Sequence, residues 1–142
     1  MAIVGVFTNA MVLVNGIDLS NHGRSVTVSD ERAAVDVTAF GAGYIQETKG
    51  LGTAAITVEF LQDFGAGSVH ATLQPLIGST TPVAVEVRAV NAARSATNPA
   101  MLLASALLFT YTPLDGSIGD AAVFSAEFRN APGGAGLTYP TS

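Results

Sequence analysis

The chain offers little with which to do covalent chemistry. Its two histidines are His22, in a Ser-Asn-His-Gly turn, and His70, in a helical stretch. Neither has a second histidine or a carboxylate at metal-ligand spacing, such as the i, i+4 pair that shares one helix face. Both read as solvent-facing polar residues. There is no cysteine, which excludes disulfides, thiolate zinc sites, iron–sulfur clusters and thiol catalysis, and fits assembly in a reducing cytoplasm. Ser68 opens a helical stretch and reads as a cap, since no Gly-x-Ser-x-Gly elbow surrounds it. The string from Gly50 through Gly52 to Ala55 spells a dinucleotide fingerprint, but a β-branched strand follows where a helix must meet the pyrophosphate. Pro132 to Gly136 lacks the Lys-Ser/Thr of a phosphate loop. The 11 carboxylates are scattered, with no calcium-loop spacing. No tryptophan and only 3 tyrosines argue against a sugar-stacking cleft between two of them. These residues build no active site, so neither an enzyme nor a cofactor nor a metal is expected.

Composition points to a different use of the surface. Of 142 residues, 49% are hydrophobic but only 12% are charged, about half the usual fraction. A soluble monomer of this makeup would expose much uncharged surface, which monomers tend to avoid. Much of the surface is therefore expected to be covered by other subunits. The formal net charge of −5 argues against a groove that grips phosphates. The run Ala2 to Phe7 is apolar, but no basic residue precedes it, so it is not expected to be a secretory signal. No stretch approaches the roughly 20 apolar residues of a membrane helix, and no lipidation box is present.

The residues are patterned mostly with period two. Met11 to Val14, Asn15-Gly16 and Ile17 to Leu19 predict a hairpin, because Asn-Gly accepts the positive φ of a tight turn. Val26 and Val28 share one face of a strand from Arg24, but Val35 and Val37 have the opposite parity. A bulge or bend is therefore expected between Asp30 and Ala34. Thr53 to Gln62 alternates cleanly, with Ile56, Val58 and Phe60 on one face. Residues 68–77 form the one helix candidate, with Leu73 on its apolar stripe, Gly78 beyond its end and Pro75 late in its run. Val85 and Val87 mark another half-buried strand. Met101 to Thr112 is apolar on both faces (Leu108 among them) and is expected to be covered on both sides. Ala121 to Arg129 turns Phe124 and Phe128 inward.

These elements predict a mainly β fold: an antiparallel β-sandwich or barrel with one flanking helix over about 68–77 and a long loop over about 39–52. Residues 1–129 read as one β domain and residues 130–142, rich in glycine and proline, as an irregular tail. The core is expected to hold Val26, Val28, Ile56, Val58, Phe60, Leu73, Val85, Val87, Leu108, Phe124 and Phe128. The 39–52 segment is longer than hairpin loops usually are, and loops of that length tend to carry function.

An ordered set of strings resembles the major tail tube proteins of long-tailed bacteriophages and prophages. It comprises Val14-Asn-Gly-Ile-Asp-Leu-Ser20, Arg24-Ser-Val-Thr-Val28, Ala34-Val-Asp-Val-Thr-Ala-Phe-Gly41, Val58-Glu-Phe-Leu-Gln-Asp-Phe64, Gly67-Ser-Val69 and Leu73-Gln-Pro-Leu76. Val85-Glu-Val-Arg-Ala89, Ser95-Ala-Thr-Asn-Pro99 and Tyr111-Thr-Pro-Leu-Asp-Gly-Ser-Ile-Gly119 continue it. The resemblance runs from about Val14 to Phe128. It implies a β-sandwich related to the tube protein of the type VI secretion system, assembling as hexameric rings that stack helically into a tube through which the genome passes. It also implies a virion-tail location after assembly in the host cytoplasm. The expected partners are further copies of the chain and the tape-measure, terminator and distal tail proteins. DNA would pass without specific binding, and no membrane is involved.

Two hairpins are expected to line the lumen: Arg24–Thr38 with Thr53–Gln62, and Met101–Thr112 with Ala121–Arg129. Their outward set is Asp36, Thr38, Thr57, Glu59, Ser125, Glu127 and Arg129, an acidic wall to which phosphate would not adhere. The 39–52 loop, with Gly41, Gly43, Tyr44, Ile45, Glu47 and Lys49, is the expected contact between rings. Two other readings use the same elements: a monomeric or trimeric β-sandwich binding or decoration module of a virion, and a head–tail joining or tail terminator protein of the same fold.

Overall fold

A computed structural model describes residues 10–142; the apolar run Ala2–Phe7 lies outside them. The strands are β1 (Met11–Val14), β2 (Ile17–Asp18), β3 (Gly23–Asp36), β4 (Glu47–Leu61), β5 (Val83–Arg88), β6 (Ala100–Tyr111), β7 (Val123–Asn130) and β8 (Leu137–Thr138). One helix, α1 (Val69–Ile77), follows β4. Among the described residues the fold is mainly antiparallel β with a single flanking α-helix. All the strands belong to one hydrogen-bonded sheet in the order β2-β1-β5-β6-β7-β4-β3, with β8 against β6.

That sheet is strongly curled. Val12 of β1 and Val58 of β4 wall the same cavity although three strands separate β1 from β4 in the order. A three-residue helical turn, Ser20–His22, carries the chain from one edge strand, β2, directly to the other, β3. The two ends of the sheet thus approach each other, giving an open barrel around one core.

Local chemistry sets the elements. Asn15 and Gly16 have φ of 51° and 78°, the primed turn that matches strand twist, and it joins β1 to β2. In β4 every second residue from Ala54 to Phe60 is buried. These meet Phe124, Ala126 and Phe128 of β7, Val85 and Val87 of β5, Leu103, Ala106 and Leu108 of β6, and Val69 and Leu73 of α1. Phe60 and Phe124 stack with centroids 5.3 Å apart, and Tyr111 meets Phe124 edge-on at 5.1 Å. Val26 and Val28 are half-buried, because β3 is an edge strand with a neighbour on one side only.

Three details differ from the sequence expectation. First, the connection between β3 and β4 is shorter than 39–52, since Glu47–Gly52 belongs to β4. The glycines that read as loop serve close approach: a Cβ on Gly50 would come within 2.8 Å of Val35 Cγ2, and one on Gly52 within 2.8 Å of an Arg32 guanidinium nitrogen. Second, β6 is covered on both faces only at its start, where Ala100 is buried opposite the Leu103 face; farther along, Ala106 and Leu108 are buried while Phe109 is exposed. Third, the tail holds a short strand. After a glycine-rich loop, Leu137 and Thr138 pair with Leu103 and Leu102, and Ala100 N–H donates to Pro140 O at 2.9 Å. The expected bulge lies between Arg32 and Ala34, where Arg32 faces Gly52 but Ala34 faces Lys49, the extra residue being in β4.

Candidate functional site

β3, β4, β7 and the last half of β6 form a four-stranded sheet whose inner face is the core. Its outer face is built by the period-two alternation that buries the other side. Thr57 stands opposite Glu127, Glu59 opposite Ser125, and Ala55 opposite Arg129. The adjoining edge strand adds Ser25, Thr27 and Ser29 in register with Glu59, Thr57 and Ala55. Five of the seven expected lumen residues (Thr57, Glu59, Ser125, Glu127 and Arg129) therefore share one patch. Asp36 and Thr38 do not. Asp36 pairs with Glu47 beyond the bulge, and Thr38 lies in the connection. There Asp36 accepts the Thr38 backbone N–H at 2.8 Å, which holds its carboxyl below the usual range.

The patch is less acidic than its carboxylates suggest. Arg129 Nε donates to Glu127, and its guanidinium sits 5.3 Å from the Phe109 ring centroid. An Arg24 guanidinium nitrogen lies 4.0 Å from Glu59 Oε1. Hydroxyls and paired charges, with the exposed Phe109 at one side, make up this surface.

Two edges of the four-stranded sheet are open. β3 ends the strand order, so its outer edge from Gly23 to Asp36 has no partner among the described residues. β5 pairs with β6 only as far as Ala106, leaving Leu107–Tyr111, among the described residues, with a free edge opposite β7. Unpaired edges of this kind are templates for pairing with another chain.

Past the bulge, β3 and β4 continue as a two-stranded arm that leaves the body. Its residues are exposed apart from Gly50, which is half-buried. Val37 N–H donates to Gln46 O at 2.9 Å, and Gln46 N–H donates to Thr38 Oγ1 at 2.7 Å, closing the ladder at the tip. Gly41, with φ of 85°, and Gly43 make the tip turn. The arm exposes Tyr44 (88%), Ile45 (77%) and Leu51 (88%), with Phe40 fully open and Val35 and Val37 about half exposed. Glu47 and Lys49 are in β4, not in a loop, and Lys49 faces Ala34.

The histidines are not the free polar residues their sequence context suggests. His70 Nδ1 lies 2.6 Å from the Tyr111 hydroxyl, with the ring against Phe64. His22 Nε2 lies 3.1 Å from Asp63 Oδ2 and 3.5 Å from Ser68 Oγ. A serine, a histidine and an aspartate thus converge, but both partners address the same ring nitrogen, whereas a catalytic relay needs one on each. Asp63 accepts the Gly65 N–H at 2.9 Å, and that bond, then Ser68 and His22, lowers its carboxyl pKa. Ser68 occupies the N-cap position without donating or accepting there through its side chain. The cluster ties the turn before β3 to the turn before α1.

Pattern reading also missed a buried ion cluster. Glu86 is 5% exposed; Arg88 Nε donates to its Oε2 at 2.5 Å, and Arg94 donates to Oε1. Val85 and Val87 are the visible signal of β5, and alternation places Glu86 between them on the face away from the core. Asn98, also buried, closes the loop above with its side-chain amide, donating to Val90 O at 3.1 Å and accepting the Val90 N–H at 3.2 Å.

No protein-family model and no curated protein matches the chain. Solved structures do. A chain from the tail of an empty gene transfer agent particle with C6 symmetry is 15% identical, with a TM-score of 0.69, covering 98% of this chain and 99% of that one. A chain from the sheath/tube terminator of an extracellular contractile injection system, PVC, in the extended state is 11% identical with a TM-score of 0.73, covering 99% and 98%. The PVC sheath-tube complex contributes a third at 12% identity and 0.68, covering 98% and 92%. The chain shares its fold with these chains of tail and sheath–tube assemblies. In that fold the outer face of the four-stranded sheet, its open edges and the arm are features with no partner strand or packing layer among the described residues.

Proposed function

We propose that the chain is a structural subunit of a phage-like tail, polymerising as hexameric rings stacked into a tube. One observation carries this reading: a four-stranded sheet has two open edges of opposite direction and a polar outer face. Neighbours in the order β3-β4-β7-β6 are all antiparallel. With an even number of strands, β3 and β6 run oppositely, so β3 of one copy can pair antiparallel with Leu107–Tyr111 of the next. Repetition closes a barrel with no edge left over, by a head-to-tail contact that forms rings. The low charge fraction follows, because much of the surface becomes interface.

In that ring the outer patch of Thr57, Glu59, Ser125, Glu127 and Arg129 faces the lumen. Its hydroxyls and arginine-paired carboxylates give a passing polyanion no net cationic grip, while the chain's charge of −5 supplies a weak background repulsion that salt screens. The arm reaches the adjacent ring, burying Tyr44 and Ile45. Tape-measure and distal tail proteins are the further partners. The TM-score of 0.73 with a chain of a tube terminator supports a second reading, a ring that ends a tube.

Electron microscopy of the purified chain tests both. Long tubes are expected; single rings that never elongate would favour the terminator, and a particle that stays near 14.4 kDa under nucleating conditions would defeat both. A chain lacking Gly43–Glu47 is expected to give rings without tubes.

A further inference from the structure

The four-stranded sheet carries apolar groups at both of its ends. The arm occupies one end. At the other, residues 112–122 join β6 to β7 and expose Leu114 and Ile118, the latter completely. This loop is braced on the body: Val123 N–H donates to Asp115 O at 3.4 Å, and the Gln62 side-chain amide donates to Pro113 O. Between the loop and the start of β3 lies an open cleft of about 590 Å³, lined by Arg24, Asp115, Ser117, Asp120 and Val123. Among the described residues neither Asp115 nor Asp120 has an ion-pair partner, and neither does Lys49, the chain's one lysine.

The two ends offer each other apolar surface. One carries exposed aromatic and aliphatic side chains with the cation Lys49, on the same strands as the anions Asp36 and Glu47. The other offers exposed aliphatic side chains with two unpaired anions. They lie at opposite ends of the same strands, so shifting one copy along the strand direction brings arm to loop without any rotation that would exhaust the contact. Such a heterologous contact stays open-ended and builds a filament. We propose that the arm of one copy docks on the 112–122 loop of a second copy in the adjacent ring, Tyr44 and Ile45 meeting Leu114 and Ile118, and Lys49 reaching Asp115 and Asp120. The inference rests on the stacked-ring reading and supplies the acceptor surface for it.

The test uses preformed rings of two full-length variants, Y44S/I45S, which lacks the donor, and L114S/I118S, which lacks the acceptor. All four positions are exposed, so both variants are expected to fold and close rings. Neither is expected to elongate alone. Mixed in equal amounts, they are expected to form stacks of two rings and stop, because each stack then ends in one dead arm and one dead loop. Long tubes from L114S/I118S with none from Y44S/I45S would overturn this acceptor and leave the stacked-ring reading standing. Absence of rings and tubes from the unaltered chain would overturn that reading itself. Charge reversal provides a second route. K49E is expected to shorten mean tube length by about tenfold or more, and K49E/D115K/D120K to restore it; failure to restore would remove the ionic part of the contact.

Discussion

β3 and β4 cross from one physical regime into another at the step between Arg32 and Ala34. Before the step, Ala54, Ile56, Val58 and Phe60 are buried and their alternates face out. After it, the hydrogen-bonded ladder continues but the side chains are exposed on both faces, Gly50 apart. Body and arm share backbone pairing and differ in burial alone. Apolar burial supplies most of the free energy of folding, whereas an isolated two-stranded ribbon is marginal in water. Among the described residues the arm therefore gains no such burial, and the body does. Substitutions on the two sides of the step should separate stability from assembly.

The largest effect belongs to the core. Phe128 is fully buried between β6 and β4. Phe128→Ala is expected to cost about 3–5 kcal/mol, lost transfer energy plus a cavity. Urea denaturation measures it, and a loss below 1 kcal/mol would mean that the body is no more self-sufficient than the arm.

Next comes the polar part of the body. Glu86→Ala leaves two arginines facing a buried gap, and removing one member of a buried ion group typically costs about 3–5 kcal/mol. Because Arg88 and Arg94 are less buried than Glu86, the lower end is expected. The triple change of Glu86, Arg88 and Arg94 to leucine or methionine should recover most of that loss.

The boundary gives a smaller, pH-dependent effect. Tyr139 hydroxyl donates to Asp30 Oδ2 at 2.8 Å, and Arg32 donates to Asp30 Oδ1 at 2.5 Å, so the tail is latched to the base of the arm. Arg32, then Tyr139, holds the Asp30 carboxyl below the usual range; Asp30 in turn raises the Tyr139 phenol. The lowered carboxyl contributes stability above the ordinary carboxylate range and loses it as pH falls through the folded value. The raised phenol contributes below the ordinary tyrosine range and loses it as pH rises through its own. The latch is therefore strongest between these limits. Tyr139→Phe should lower Tm slightly at neutral pH and abolish the alkaline limb; an unchanged alkaline limb would show that the latch is absent in solution.

Legibility in the sequence followed the same division. Alternation reports burial, so the body's strands and the helix could be read wherever one face is covered; the parity flip of Val35 and Val37 falls next to the bulge, but the extra residue is in β4 and the two valines are half exposed. The arm's strand from Glu47 to Gly52 was missed because Gly50 and Gly52 carry no side chain to alternate. They are small so that Val35 and Arg32 can pass, a contact made across the ladder that no local pattern displays. The contacts of His22, His70 and Glu86 escape local pattern for a related reason. Their partners Asp63, Tyr111 and Arg94 lie across the fold or across a loop. The outward patch was legible as single residues, but the pairing of β4 with β7 that assembles it, and the arginines that offset its carboxylates, were not.

The smallest effect on the lone chain is expected from the arm, and it is the most informative. Val35→Thr/Leu51→Ser replaces exposed side chains, so chain stability should change by no more than about 0.5 kcal/mol. Amide exchange should already be fast at Val35, Thr48 and Lys49 in the unassembled chain, since opening the ribbon exposes no core. In tubes the same amides should be strongly protected, and the double variant should assemble poorly despite its unaltered denaturation curve. Slow exchange at these sites in the dissociated chain would break the comparison, because the arm would then be held by forces internal to one copy.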